Sequence, residues 1–175
     1  ILRMLESYAG PEAFQVAIRD YMQRFSRSNA TEHDLWSVVA EHADADIGAI
    51  AARYLNQPGF PLVRVDAKGN ISQSRYHRLG RDLPAQQWII PLSVKYKHDG
   101  VIKQTFTLLD KPTGTLDIPA DAQWVLPDAD ANGYYRWNID PTQFQRLVQD
   151  MNALSNREKI GLLDNSEALL NAGEL

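Results

Sequence analysis

Hydrophobic and polar positions follow two different periods along this chain, and the period changes twice. Over residues 1–57 the apolar residues recur every three or four positions, the spacing of one helix face. Leu2, Leu5 and Tyr8 mark a first helix that Gly10-Pro11 ends. Pro11 suits the first turn of a second helix, where its missing N–H costs nothing, and Phe14, Ile18, Tyr21 and Phe25 form its stripe. Thr31 with Asp34 reads as a capping box before Leu35, Val38 and Val39. Asp46 is the N-cap of a fourth helix carrying Ile47, Ile50 and Tyr54. Gln57-Pro58-Gly59-Phe60-Pro61 then forbids further helix, because two prolines bracket a glycine.

From Leu62 the period becomes two. Trp88, Ile90, Leu92, Val94 and Tyr96 alternate with Ile89, Pro91, Ser93, Lys95 and Lys97. A half-buried strand alternates in this way, so the first set is expected in the core and Lys95 and Lys97 in water. His98-Asp99-Gly100 makes a tight turn, and Ile102, Gln104, Phe106 and Leu108 carry the alternation back as a hairpin. Further strands are expected at 62–66, 71–77, 115–118, 123–126 and 134–139, with turns at Ala67–Asn70 and Asp130–Gly133. Short strands at this spacing predict an antiparallel sandwich, with Pro91 at an edge or a bulge. After Ile139 the helical period returns. Asp140-Pro141 opens a helix with Phe144, Leu147, Val148 and Met151 on its buried stripe. Ser155 and Glu158 make a second capping box ahead of Ile160, Leu163 and Leu170. The fold class is therefore α+β: a helical segment, an antiparallel β-sandwich, then a helical segment.

Composition changes this picture little. Apolar residues make up 44% and charged residues 23% of the chain, which is globular and not disordered. No apolar run approaches the roughly 18 residues of a membrane span. The net charge of −4 argues against a nucleic-acid groove, which needs a basic face. Cysteine is absent, which removes disulfides, thiolate metal sites and a cysteine nucleophile while leaving the compartment open, cytoplasmic or periplasmic. No basic segment leads into an apolar one at the start, and the opening at Ile1 reads like the interior of a longer protein.

Candidate chemistry is sparse. His33 and His42 lie nine positions apart, and neither belongs to a pair spaced four apart on a helix. His77 and His98 fall beside turns, and Glu41-His42 lacks the further ligands a metal needs. All four read as surface histidines. Asp128-Ala129-Asp130-Ala131-Asn132-Gly133 imitates the opening of a calcium loop, but Ile139 stands where the bidentate glutamate belongs, so a plain hairpin turn is expected. Trp88, Trp124 and Trp137 could pave a carbohydrate or peptide surface, and packing is the preferred reading. No nucleophile elbow, phosphate loop or dinucleotide fingerprint is present.

Several stretches, in order, resemble the aminopeptidase N family of gluzincin zinc metallopeptidases. Leu2-Arg3-Met4-Leu5-Glu6 resembles the helix that follows the family's transition-state tyrosine. Leu35-Trp36 and the run Tyr54-Leu55-Asn56-Gln57-Pro58-Gly59-Phe60-Pro61 resemble the last helices of its thermolysin-like domain and the exit from it. Tyr134-Tyr135-Arg136-Trp137-Asn138 resembles the strand closing its β-sandwich. Gly161-Leu162-Leu163-Asp164-Asn165 and Ala172-Gly173-Glu174-Leu175 resemble the first helices of its C-terminal domain. Tyr54 stands where the family more often has tryptophan, and Trp137 where it often has valine.

The resemblance implies a parent enzyme that removes amino-terminal residues from peptides with zinc as cofactor. It implies residues 1–60 as the end of a catalytic domain, 61–139 as the sandwich and 140–175 as the start of a helical domain. The family's chemistry needs a His-Glu-x-x-His helix, a further glutamate ligand, a Gly-x-Met-Glu-Asn loop and the tyrosine, and none of these positions occurs here. No catalytic, metal-binding or substrate-binding residue is therefore assigned to this chain, which is expected to be inactive alone and to play a structural, domain-linking role. Its partners would be the parent's remaining catalytic and helical segments, with peptide met only by the parent. Helices 1–8 and 156–171, lacking those segments, are expected to self-associate or to fold back over the sandwich. The alternative reading is a stand-alone sandwich module that binds a protein or a carbohydrate.

Overall fold

The structure, a computed structural model, describes residues 1–81 and 83–175. It forms two compact units, Ile1–Pro58 and Gly59–Leu175.

The first unit contains α1 (Leu2–Ala9), α2 (Pro11–Arg24), α3 (Glu32–His42) and α4 (Ile47–Leu55). Their ends are set by local chemistry. Pro11 occupies the first turn of α2. The Asp34 N–H donates to Thr31 Oγ1 (3.3 Å) while the Thr31 N–H donates to the Asp34 carboxylate (2.8 Å), closing the capping box. Asp46 accepts from the Ala49 N–H at 2.9 Å. Met4, Leu5, Trp36, Val39, Ile47, Ile50 and Tyr54 are buried. Two stripes differ from expectation. In α1, Met4 and Leu5 are buried while Leu2 is 60% exposed. In α2 only Ala17 is fully buried, and Phe14, Ile18, Tyr21 and Phe25 are half-buried.

The second unit carries β1 (Pro61–Val65), β2 (Asn70–Arg75), β3 (Ile90–His98), β4 (Val101–Leu109), β5 (Thr113–Thr115), β6 (Trp124–Leu126), β7 (Arg136–Ile139), α5 (Pro141–Gln149) and α6 (Asn156–Ala172). One sheet has the order β5-β2-β1-β7 and the other β4-β3-β6. The class is α+β, with helices flanking the strands. Among the described residues all strand pairings are antiparallel except β1 with β7, which run parallel. That pairing overturns the expected hairpin at Asp128–Gly133: β6 and β7 belong to different sheets, so the segment is a crossover containing a 3-10 turn at Ala129–Ala131.

The β3–β4 hairpin forms as its sequence predicts. His98 pairs with Val101 across two residues, and Asp99 (φ 50°) and Gly100 (φ 74°) supply the two left-handed conformations that match the strand twist. Trp88, Ile90, Leu92, Val94 and Tyr96 are all buried. The other face of β3 is not in water, however. Lys95 and Lys97 are covered and ion-paired, with side chains 15% and 26% exposed. Polar partners from later in the chain lie over them, so alternation here separates two kinds of cover, not core from solvent. Pro91 sits in the middle strand of its sheet. It is tolerated because β6 pairs only with Lys95–Lys97, which leaves β3 flanked by β4 alone at Pro91. The returning strand β4 is an edge, with Ile102, Phe106 and Leu108 37–45% exposed.

Candidate functional site

The most elaborate polar chemistry of the second unit gathers where α6 meets the sheets. The helix starts at the Ser155–Glu158 capping box, in which the Glu158 N–H donates to Ser155 Oγ (3.2 Å) and the Ser155 N–H to Glu158 Oε2 (2.7 Å). Its buried face runs Glu158, Leu162, Asn165, Leu169 and Ala172, at steps of three and four. Ile160, Leu163 and Leu170, the stripe the sequence favours, are instead 64–68% exposed.

Two polar residues select that buried face. Glu158 is 1% exposed; its Oε1 accepts from the Asp130 N–H (3.1 Å) and meets Lys95 Nζ at 2.5 Å. Burial alone would raise its carboxyl, but the Lys95 bond and the Ser155 and Asp130 N–H groups outweigh burial and hold it below the ordinary value. Asn165, 2% exposed, behaves like an added strand: the Trp137 N–H donates to Asn165 Oδ1 (3.0 Å) and Asn165 Nδ2 donates to Trp137 O (2.8 Å). It thereby satisfies the outer side of β7, the edge of its sheet. Further along the same joint, Tyr76 Oη donates to Ala168 O (2.8 Å), the Leu79 N–H to Asn171 O (2.9 Å), and Arg64 pairs with Glu174.

A second cluster fixes α5. Lys97 Nζ lies 2.6 Å from Asp150 Oδ2, and Trp124 Nε1 donates to the same oxygen at 2.8 Å. The Lys97 and Trp124 bonds hold the Asp150 carboxyl below its ordinary value. Gln73 does for the approach to β3 what Asn165 does for β7: the Trp88 N–H donates to Gln73 Oε1 (2.8 Å) and Gln73 Nε2 donates to Trp88 O (3.0 Å).

Beside the joint lies a cleft of about 410 Å³ lined by Phe60, Asp128, Tyr134, Arg136, Asp164 and Asn165, among others. Arg136 pairs with Asp164. Asp128 Oδ1 accepts from the Gly133 N–H at 2.8 Å, and burial pushes the Asp128 carboxyl up to about 6. Position 133 admits only glycine, since a Cβ there would come within 2.5 Å of the Tyr135 ring and 2.9 Å of Asp128 Oδ1. Within the calcium-like run, Asp128 thus accepts from backbone, Asn132 Oδ1 accepts from Arg157 Nη1 (3.4 Å), and Asp130 contributes its N–H to Glu158.

The histidines are scattered. His33 is exposed on α3. His42 Nε2 sits 2.8 Å from Asp20 Oδ2, in a network where Arg24 also pairs with Asp20 and Glu41. His77 is exposed, and His98 Nε2 lies 3.1 Å from Asp121 Oδ1. Among the described residues no three histidine, aspartate or glutamate side chains are placed to hold a metal ion. No described helix is long and apolar enough to cross a membrane. Trp88, Trp124 and Trp137 are buried at 0–3% exposure and pave no surface.

Comparison with known proteins gives this architecture a context. Residues 1–54 match the family model described as the Peptidase family M1 domain. The chain is 32% identical over 178 residues to the leucyl aminopeptidase of Saccharolobus solfataricus, an alignment covering 100% of this chain and 22% of that protein. It is 28% identical to aminopeptidase M1-A of Oryza sativa subsp. japonica, covering 99% of this chain and 21% of that protein. With the puromycin-sensitive aminopeptidase of Caenorhabditis elegans it shares 28% identity, over 99% and 20% respectively. The match over residues 1–54 and the whole-chain similarity to aminopeptidases support the aminopeptidase N family of M1 peptidases.

The chain spans about a fifth of the length of the curated relatives it matches. The family model covers most of the first unit, and the relatives align across the second as well. Within it, Asn165 and Gln73 escape sequence reasoning because a lone amide on a helix or strand carries no local signal of a distant backbone partner. Glu158 is legible only as a cap. Its bond to Lys95 depends on α6 returning over β3.

Proposed function

We propose that this chain is a segment of a zinc aminopeptidase that removes amino-terminal residues from peptides, and that the segment serves as a structural link. The reading rests on one observation: proteins named aminopeptidases align with essentially the whole chain. In this proposal residues 1–60 end a thermolysin-like catalytic domain, and 61–139 form a sandwich of the two sheets. Residues 140–175 begin a helical domain whose first helices are seated on that sandwich. The link is built by buried polar contacts because these hold one relative placement where apolar packing alone would accept several. Zinc would be the parent's cofactor. The donors here do not fit it, since no three described His, Asp or Glu side chains converge. In this reading the chain's own residues position and support the parent's catalytic domain, and the zinc ligands come from elsewhere in the parent.

Metal analysis after dialysis, together with an aminoacyl-anilide assay on the 175-residue chain, tests this. The expected result is substoichiometric zinc and no turnover. Stoichiometric zinc with turnover would overturn the proposal.

A further inference from the structure

Beyond β2 the chain runs through Arg75, His77, Arg78 and Arg81, then returns along 83–87 to Trp88. A cleft of about 500 Å³ opens against this return, lined by Gln73, Arg75, His77, Leu83, Gln86 and Pro112 among others. That volume falls in the range of small-ligand sites.

Arg75 is the unusual member. Of the other half-buried arginines, Arg64 and Arg136 each meet a carboxylate of the chain. Among the described residues Arg75 meets none, and its buried Nε has no hydrogen-bond acceptor. The side chain is nevertheless held in place. It lies against Gly59 (φ +96°), where an added Cβ would come 2.9 Å from Nε and 3.4 Å from Nη2. Gln86 Oε1 is likewise buried without a partner. A half-buried guanidinium without a counter-ion is costly, so an external anion gains more here than at a solvated lysine. Leu83, 38% exposed, Ala85 and Pro112 give the same cleft an apolar side.

We propose that this cleft binds a carboxylate carried on a short apolar peptide segment. The Nη groups of Arg75 take the two oxygens in a forked pair, and Leu83 and Pro112 take the adjoining hydrocarbon. The carboxylate comes either from a peptide's C-terminus or from an acidic side chain. The site lies in the second unit, and its existence does not depend on the catalytic reading of the parent.

Nuclear magnetic resonance of the 175-residue chain, observing the Arg75 Nε–H, tests the proposal. Its burial shields that proton from exchange. Three probes are titrated: acetyl-Ala-Leu with a free carboxylate, its C-terminal amide, and acetyl-Ala-Asp amide. Saturable movement of the Arg75 signal near about 1 mM is expected from one or both acids and not from the neutral amide. The first acid alone identifies a terminal carboxylate, the second alone an acidic side chain. Arg75→Gln should weaken binding roughly tenfold or more, and Arg75→Lys should restore it only in part, since an ammonium lacks the planar fork. If Arg75→Gln does not fold, Leu83→Asp carries the test by placing a competing acid at the rim, and it too should weaken binding. No movement with any probe, equal response to all three, or unchanged binding in the folded variants would overturn the proposal.

Discussion

Replacing Lys95 with alanine is the perturbation that most sharply separates this structure from its sequence. If alternation alone governed β3, Lys95→Ala would be a surface change worth no more than about 0.5 kcal/mol. Among the described residues the Lys95 ammonium is the only cation paired with Glu158, whose side chain is wholly buried. Removing one member of a buried pair typically costs about 3–5 kcal/mol. Glu158 keeps the Ser155 and Asp130 N–H donors, and Lys95 is itself partly exposed, so a loss of about 2–4 kcal/mol is expected at pH 7. The sign of the pH dependence follows from the depressed carboxyl. The wild-type pair contributes stability fully above the unfolded glutamate value of about 4.3, and loses it as pH falls through the lower folded value. In the variant the same carboxyl, buried without its cation, is raised instead, so the penalty should shrink as the pH drops toward 4. Urea unfolding at pH 7 and near pH 4.5, followed by the indole N–H signals of Trp88, Trp124 and Trp137, gives both quantities within the second unit. A loss below about 0.5 kcal/mol at pH 7, or a loss that does not diminish on acidification, would refute the argument. The double variant Lys95→Met with Glu158→Gln should recover most of the stability, because it removes the charge with its partner while keeping an acceptor for Ser155.

Three further outcomes follow from the same geometry. Leu92→Ala should cost about 2–5 kcal/mol in urea unfolding, since Leu92 is fully buried in the core face of β3. Asn165→Ala should cost about 1–3 kcal/mol, because it leaves the Trp137 N–H and C=O without partners; amide exchange at Trp137 should accelerate by more than global destabilisation accounts for. Asp128 has its carboxyl raised to about 6, so its protonated form favours the fold and stability falls as pH rises from about 4 through about 6. Asp128→Asn should therefore be more stable than wild type by roughly 1–3 kcal/mol at pH 7 and equal to it near pH 4; a variant equally destabilised at both would show that the carboxylate itself is needed.

Much of this molecule is written locally. The caps at Thr31, Asp46, Asp140 and Ser155, the prolines at helix starts and the Asp99-Gly100 turn act within a few residues of themselves, so the sequence alone places four helices, seven strands and two more helices. The core side of β3 is equally plain from its period, and the order of aminopeptidase-like segments carries the family. Tertiary structure decided what covers each second face. Lys95 and Lys97 look solvated until α5 and α6 deliver Asp150 and Glu158 above them. The crossover at Asp128–Gly133 looks like a hairpin until β7 pairs parallel to β1, a contact between segments far apart in the chain. Helix α6 offers two apolar stripes of similar strength, Leu162 with Leu169 and Ile160 with Leu163 and Leu170. Periodicity cannot choose between them, because it counts apolar residues. The choice falls to Glu158 and Asn165, two polar side chains whose burial becomes favourable only when Lys95 and the Trp137 backbone are there to receive them.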